Sequence, residues 1–254
     1  MKRKNVLESI LKKARKGRRQ YWILLDPDDF SPAGAEQVAR RAEKTGAVDA
    51  VLIGGSLLQS GSFDAFVKAV KRSVSIPVLL FPGDASQLSA SADALLYLSL
   101  VSGRNPVNLI GEHVKAAPVI RRLGIEPIAT AYMLIESGAV TSVEFVSNTR
   151  PLPRSKPALA AAHALAAQYM GMKLVYLEAG SGAQQTVPAD MIRKVKSWID
   201  VPLIVGGGIR DAETARSILV AGADIIVTGN LLRKKDGLET MQQIAKAVKK
   251  FSPR

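Results

Sequence analysis

The chain contains no cysteine and two histidines, His113 and His163. A disulfide framework, a thiolate metal site and a cysteine nucleophile are therefore excluded, and so is a three-histidine metal centre. Aromatic residues are scarce at 5%. With no zinc, RNP or helix-turn-helix signature beside the basic residues, a nucleic-acid partner is disfavoured. No segment approaches the ~18 uninterrupted apolar residues of a membrane-spanning helix. The opening MKRKNVLESILKKARKGRR lacks the apolar core of a secretory signal. Together with the missing cysteines, this predicts a cytoplasmic protein.

What is present is ordinary globular material. The 254 residues are 47% hydrophobic and 22% charged, which excludes global disorder and allows a sizeable core without staples. The formal net charge of +13 is concentrated at the ends. Residues 1–20 hold nine Lys/Arg and one acid, residues 233–254 hold seven and two, and the stretch between is neutral. Residues 1–20 are expected to form a basic amphipathic helix, since Val6, Leu7, Ile10, Leu11 and Ala14 recur at helical spacing. A surface helix with solvated lysines is the plainest expectation. The two basic ends point to opposite faces, because Lys16, Arg18 and Arg19 lead into the first strand while Arg233, Lys234 and Lys235 follow the last.

Residues 21–254 read as one catalytic domain. Eight short apolar runs alternate with helical patterns: 21–25, 50–53, 78–81, 95–98, 127–130, 174–177, 203–205 and 225–227. Alternation of this kind implies parallel strands joined by right-handed crossovers. Eight units at this length predict an α/β fold, a single (β/α)8 TIM barrel. An open dinucleotide-binding sheet would carry a Gly-rich turn after its first strand, where Asp26-Pro27-Asp28-Asp29 stands instead. Helices are expected over 31–44, 63–72, 107–123, 157–170, 188–198, 212–221 and 238–250. The third crossover, Pro82–Ala94, is too short and serine-rich for a good helix and is expected to be irregular. The connection from strand five to strand six is long, with a loop at 148–156.

The chemistry of such a barrel lies at the carboxyl ends of its strands. There the sequence places Asp26 after strand one and Gly54-Gly55-Ser56 after strand two. Glu178-Ala179-Gly180-Ser181-Gly182 follows strand six, Gly206-Gly207-Gly208 strand seven, and Thr228-Gly229-Asn230 strand eight. Glycine lets backbone N–H groups approach an anion, and helix amino ends add positive dipole. Three such loops on successive strands predict a phosphate ligand. Asp26 and Ser56 offer the hard oxygens that Mg2+ favours, alongside substrate phosphate. Glu178 is placed to take a proton from a substrate hydroxyl, and Tyr176 shares its side of the strand. Both histidines lack a visible relay partner and are read as packing or surface residues.

These motifs resemble the geranylgeranylglyceryl phosphate synthase family. The likeness rests on Leu25-Asp26-Pro27-Asp28, Gly54-Gly55-Ser56, Tyr176 through Gly182, Gly206 through Ile209, and Thr228-Gly229-Asn230. Thr130-Ala131-Tyr132, Pro151 through Arg154 and His163 through Ala166 add to it, so that it spans residues 20–245. The resemblance implies Mg2+-dependent transfer of a prenyl group to sn-glycerol 1-phosphate from a prenyl diphosphate, geranylgeranyl diphosphate by the family's name. The implied product is an amphiphilic ether-lipid precursor, so peripheral contact with an anionic membrane surface, helped by the basic ends, is an expectation of the same resemblance. Carried over residue by residue, it implies Mg2+ at Asp26 and Ser56. Glycerol phosphate would sit at Tyr176, Leu177, Glu178, Ala179, Gly180, Ser181, Gly182, Gly207, Gly208, Gly229 and Asn230. A homo-oligomer is implied as well. The family often has lysine after Asp-Pro-Asp, where this chain has Asp29. An apolar groove is needed for the prenyl tail, with Leu57, Leu58 and Tyr132 as candidates. The competing reading is a phosphosugar isomerase or synthase on the same barrel. An acidic residue ending strand five would favour it, and Thr130 is read at that place.

Overall fold

A computed structural model describes residues 5–59, 61–234 and 236–251. Residues 1–4 of the basic N-terminal segment and Lys235 lie outside the described residues. Eight parallel strands close into a barrel in chain order, with the last hydrogen-bonded to the first. They are β1 (Gln20–Leu25), β2 (Ala50–Ile53), β3 (Val78–Leu80), β4 (Ala94–Leu100), β5 (Glu126–Leu134), β6 (Leu174–Glu178), β7 (Leu203–Gly206) and β8 (Ile225–Thr228).

The two-residue period of each strand divides its side chains between two cores. Trp22, Leu52, Leu79, Leu96, Ile128, Leu174, Ile204 and Ile225 fill the interior. Tyr21, Ile23, Val51, Val78, Val175, Val205 and Ile226 face outward. Against these outer faces pack the helices: α2 (Pro32–Lys44), α3 (Phe63–Ser73), α4 (Glu112–Leu123), α6 (Pro157–Tyr169), α7 (Ala189–Lys196), α8 (Ala212–Val220) and α9 (Gly237–Phe251). Burial on both sides explains the unbroken apolar runs. A single π-helical turn, Val107–Gly111, leads into α4.

The basic N-terminal segment forms α1 (Val6–Arg15) and closes the bottom of the barrel. Val6 and Ile10 are buried in the interior core. The carboxylate of Glu126, the first residue of β5, accepts the N–H groups of Val6 at 2.7 Å and Leu7 at 3.2 Å. Asn5 caps the next turn through the Glu8 N–H. Negative charge at a helix amino end is favourable, so Glu126 both seats and orients the plug. The expected surface helix with solvated lysines is therefore corrected in part. Lys13 and Arg18 pair with buried Asp49, and Arg19 with buried Asp224. Three of the segment's cations are thus matched by carboxylates buried in the fold.

The third crossover carries no helix. It runs through turns pinned by polar contacts: Gln87 donates to the Gly55 carbonyl at 2.8 Å, Glu112 accepts the Ala85 N–H, and Ser89 donates to Asp64. Strand five is longer than its sequence suggested. Long neighbours extend it, pairing Leu100 with Tyr132 on one side and Leu134 with Glu178 on the other. Thr130 therefore lies in mid-strand and says nothing about the strand's end. The β5–β6 connection also contains α5 (Ser142–Ser147), a short helix ahead of the expected loop at 148–156, which carries no helix. No helix among the described residues is long and apolar enough to cross a membrane.

Candidate active site

The carboxyl ends of β1, β2 and β6–β8 surround a cleft of about 310 Å³. Its first wall comes from the loop after β1. Asp26 accepts the Asp28 N–H at 3.1 Å, which tightens the turn. Neither aspartate caps the following helix, since Ser31 does so through the Gly34 N–H. Asp28 instead accepts the Gln59 N–H and ties this loop to the one after β2. Asp26 stays turned into the cleft against Gly55, where a Cβ would lie 2.7 Å from its carboxylate. Burial raises its carboxyl above the ordinary carboxylate range. The Asp28 N–H opposes this, the charges of Asp29 and Asp28 add to it, and the nearby Arg233 offsets it in part.

Glu178 ends β6 and faces inward above Tyr176, as the strand period requires. It is only 7% exposed. Burial pushes its carboxyl up to about 7, against the lowering effect of the Gly180 N–H, 2.7 Å away, and of the Tyr176 hydroxyl. Both Tyr176 and Tyr132 are held well above the usual phenol value, chiefly by burial and then by the charge of Glu178. They remain protonated donors. Gly206 makes room for this group, because a Cβ there would overlap the Tyr176 hydroxyl and Glu178. Gly207, at φ +81°, does the same for the other Glu178 oxygen and the Gly180 N–H. These glycines are required by packing as well as by access to a ligand.

The loops after β6, β7 and β8 bring Gly180, Ser181, Gly182, Gly207, Gly208, Gly229 and Asn230 to the cleft. Ser181 donates to the Asn230 side chain at 3.0 Å and joins two of the loops. Leu177 and Ala179 do not face the cleft, since their side chains pack in the outer core. Only their backbone can take part. The helix dipoles invoked from sequence also need correction. The amino end of α8 is occupied by Asp211, which accepts the Thr214 N–H at 2.7 Å. Of the helical segments after these three strands, the short 3-10 turn Asn230–Arg233 is the one that starts at the cleft. What this wall can offer an anion is therefore its loop amides and that turn.

Several lining residues were not singled out from sequence. Arg210 follows the triple glycine and donates to the Ala183 carbonyl at 2.9 Å. Arg233 and Lys234 line the mouth, and Arg233 forms an ion pair with Asp29. The sequence placed Arg233 and Lys234 after the last strand as part of a basic C-terminal run, without a role in the cleft. Phe81, just past β3, stacks with Tyr132 and Tyr176, with centroids 5.4–5.8 Å apart within the trio.

A second, mostly apolar groove opens beside the cleft where the third crossover lacks its helix. Leu88, Leu96, Leu98, Leu100, Ala116 and Val146 line it, and it shares Ser56, Phe81, Tyr132 and Val143 with the cleft. Tyr132 is thus where the sequence reading expected it, whereas Leu57 and Leu58 do not line the groove. His113 is buried in its wall, with Nε2 3.0 Å from Ser99 Oγ and its ring edge-on to Tyr97. Burial lowers its pKa. His163 is half-buried, its Nδ1 2.8 Å from the Leu159 carbonyl.

Among the described residues no three acidic or histidine side chains converge as a ready-made metal site. Asp26 and Ser56 supply one carboxylate and one hydroxyl on the same wall. Mg2+ commonly takes one or two carboxylates and completes its shell with phosphate and water. The donor set therefore fits an ion bound together with substrate.

A closed parallel barrel with its polar cleft inside the strands' carboxyl ends defines a (β/α)8-barrel enzyme. Residues 12–250 match the PcrB family. A geranylgeranylglyceryl phosphate synthase of Thermococcus gammatolerans is 50% identical over 225 residues, 88% of each chain. One from Chitinophaga pinensis is 44% identical over 248 residues, 98% of this chain and 97% of that one. A crystal structure of (S)-3-O-geranylgeranylglyceryl phosphate synthase from Thermoplasma acidophilum, in complex with its substrate sn-glycerol-1-phosphate, aligns with a TM-score of 0.91. It is 36% identical and covers 97% of this chain and 99% of that one. The chain belongs to the PcrB family and is a prenyltransferase of lipid biosynthesis.

Proposed function

We propose that this protein transfers a prenyl group from a prenyl diphosphate to sn-glycerol 1-phosphate, giving a prenylglyceryl phosphate and diphosphate. One observation carries the reading. A cleft lined by glycine-loop amides and a buried carboxylate shares its wall at Ser56, Phe81 and Tyr132 with a mostly apolar groove. A small phosphoester suits the first space and an isoprenoid chain the second. A barrel acting on phosphosugars would have no use for the groove, and the family match leaves that alternative without support.

The phosphate of glycerol phosphate lies among the amides of Ser181, Gly182, Gly207, Gly208, Gly229 and Asn230, with Gly180 shaping the loop while its N–H is held by Glu178. Held there, its free hydroxyl is presented to the prenyl C1, which turns a bimolecular encounter into a local step. The C1–oxygen bond to diphosphate breaks and its electron pair leaves with the diphosphate. The hydroxyl oxygen forms the new bond to C1, and its proton passes to Glu178. A carboxyl near 7 is ionised often enough to accept a proton and basic enough to keep it. Tyr176, protonated, orients Glu178. Asp26 and Ser56 would hold Mg2+, which would supply positive charge for the departing diphosphate. Phe81, Tyr132 and the groove keep water from the reacting carbon.

Magnesium dependence, a cytoplasmic setting, a homo-oligomer and peripheral contact with anionic membrane belong to the same reading. The last is supported by an amphiphilic product and by Arg233 and Lys234 at the cleft mouth. The test is an assay of glycerol 1-phosphate and glycerol 3-phosphate against a series of prenyl diphosphates, with and without Mg2+. Transfer to glycerol 1-phosphate is expected. No transfer from any prenyl diphosphate would refute the reading.

A further inference from the structure

The wall that receives a diphosphate carries an unfavourable local charge. Asp26, Asp28 and Asp29 stand within four residues, and no lysine or arginine occurs between Arg19 and Arg40. The loop after β1 therefore offers a polyanion no cation of its own. The structure supplies one from elsewhere in the chain. β1 and β8 are neighbours at the barrel's closure, with Trp22 opposite Val227, so the loops after them rise side by side. Across this seam Arg233 is ion-paired with Asp29, and both line the cleft beside Asp26 and Ser56.

The pair is asymmetric in what it can do. A guanidinium has five donors in a planar fork and binds phosphate and carboxylate equally well. Asp29 engages one terminal nitrogen of Arg233, which leaves further donors to meet an anion in the cleft. The same short turn begins at Asn230, on the glycerol phosphate side, and ends at Arg233, on the diphosphate side. It spans the gap between the two substrates.

We propose that Arg233, aimed by Asp29, is the cation that binds the diphosphate of the prenyl donor, and that Asp29 is a positioning residue rather than a metal ligand. This rests on the prenyl-transfer reading and adds to it a specific donor from the β8 loop. A charge-assisted hydrogen bond of this kind changes affinity roughly 10- to 100-fold. Arg233→Met should raise the KM for prenyl diphosphate by that factor and leave the KM for glycerol 1-phosphate unchanged. Asp29→Asn should move the same KM in the same direction by less, because the cation is still present and only its aim is lost. Arg233→Lys should recover part of the loss, since a point charge cannot fork between carboxylate and phosphate.

The deciding experiment titrates inorganic diphosphate with Mg2+ into the full-length protein and into Arg233→Met by calorimetry, alongside melting temperatures and the steady-state assay. Weaker diphosphate binding at an unchanged melting temperature, with KM for the prenyl donor alone affected, is the expected result. Equal diphosphate affinity in the two proteins overturns the assignment while prenyl transfer by the unmodified protein keeps the underlying reading intact. Equal rises in both substrates' KM also overturn it, as they mark a structural role. An unmodified protein that neither transfers prenyl groups nor binds diphosphate overturns the underlying reading itself.

Discussion

Replacing Glu178 by glutamine should make the protein inactive and, above neutrality, more stable. The side chain is buried and its carboxyl titrates at about 7 instead of the ordinary 4.5. Between those values the native state holds a proton that the unfolded chain has released. The stability contributed by that proton is complete below pH 4.5 and is lost as pH rises through 7. At about 1.4 kcal/mol per pK unit, the difference between 4.5 and about 7 is roughly 3 kcal/mol. Glutamine keeps the shape and still accepts the Gly180 N–H, but carries no charge to desolvate. At pH 8 the variant should gain on the unmodified protein by up to roughly 3 kcal/mol, or roughly 6–12 °C in melting temperature for a chain of this size. At pH 4 the advantage should vanish.

The measurement is urea unfolding of both ligand-free proteins from pH 4 to pH 9, paired with turnover at each pH. Turnover of Glu178→Gln should fall at least ~100-fold, the low end for loss of a positioned base. In the unmodified enzyme kcat/KM should rise with pH through about 7 as Glu178 ionises. Parallel stability curves for the two proteins would show that Glu178 is not a strained buried acid. Near-normal turnover by the folded variant would remove it from proton transfer. The two readouts fail independently, because one tests the environment of the carboxyl and the other its role.

Asp26→Asn should lower turnover roughly 100-fold or more and abolish the saturable response to added Mg2+, checked by titrating the metal under steady-state conditions. Gly207→Ala should cost about 1–3 kcal/mol of stability and displace Glu178, since its φ is +81° and a Cβ would overlap Glu178 and the Gly180 N–H. Gly46→Ala serves as its control: φ is +63° there with open space around it, so turnover should not change. Asp224→Ala should cost about 2–4 kcal/mol in urea unfolding, because its buried carboxylate holds Arg19, Lys196 and the Leu203 N–H at the bottom of the barrel. The KM values should stay as they are.

The local character of a pattern decides how far it can be read. The eight strands were legible because burial on two faces demands unbroken apolar runs, and their observed bounds lie within a few residues of the expected ones. The glycine loops and the inward pair Tyr176 and Glu178 followed from strand period and turn chemistry alone. The missing third-crossover helix was visible in a segment too short and too rich in serine. That its absence opens an apolar groove was not visible, because the groove's lining comes from β4, β5, α4, α5 and the crossover itself together.

The remaining features belong to the tertiary structure for one physical reason: each depends on groups brought together by closure of the barrel. Thr130 ceased to mark the end of β5 once β4 and β6 had extended that strand by pairing with it. The basic N-terminal helix became a plug when Glu126, more than a hundred residues away, accepted its first amides. Asp29 acquired a countercharge from Arg233 only where β8 meets β1. The elevated pKa of Glu178 is likewise a property of its burial under the loops. Sequence patterns determined which elements form and which chemical groups reach the rim; packing decided which of those groups are charged, paired or exposed to a substrate.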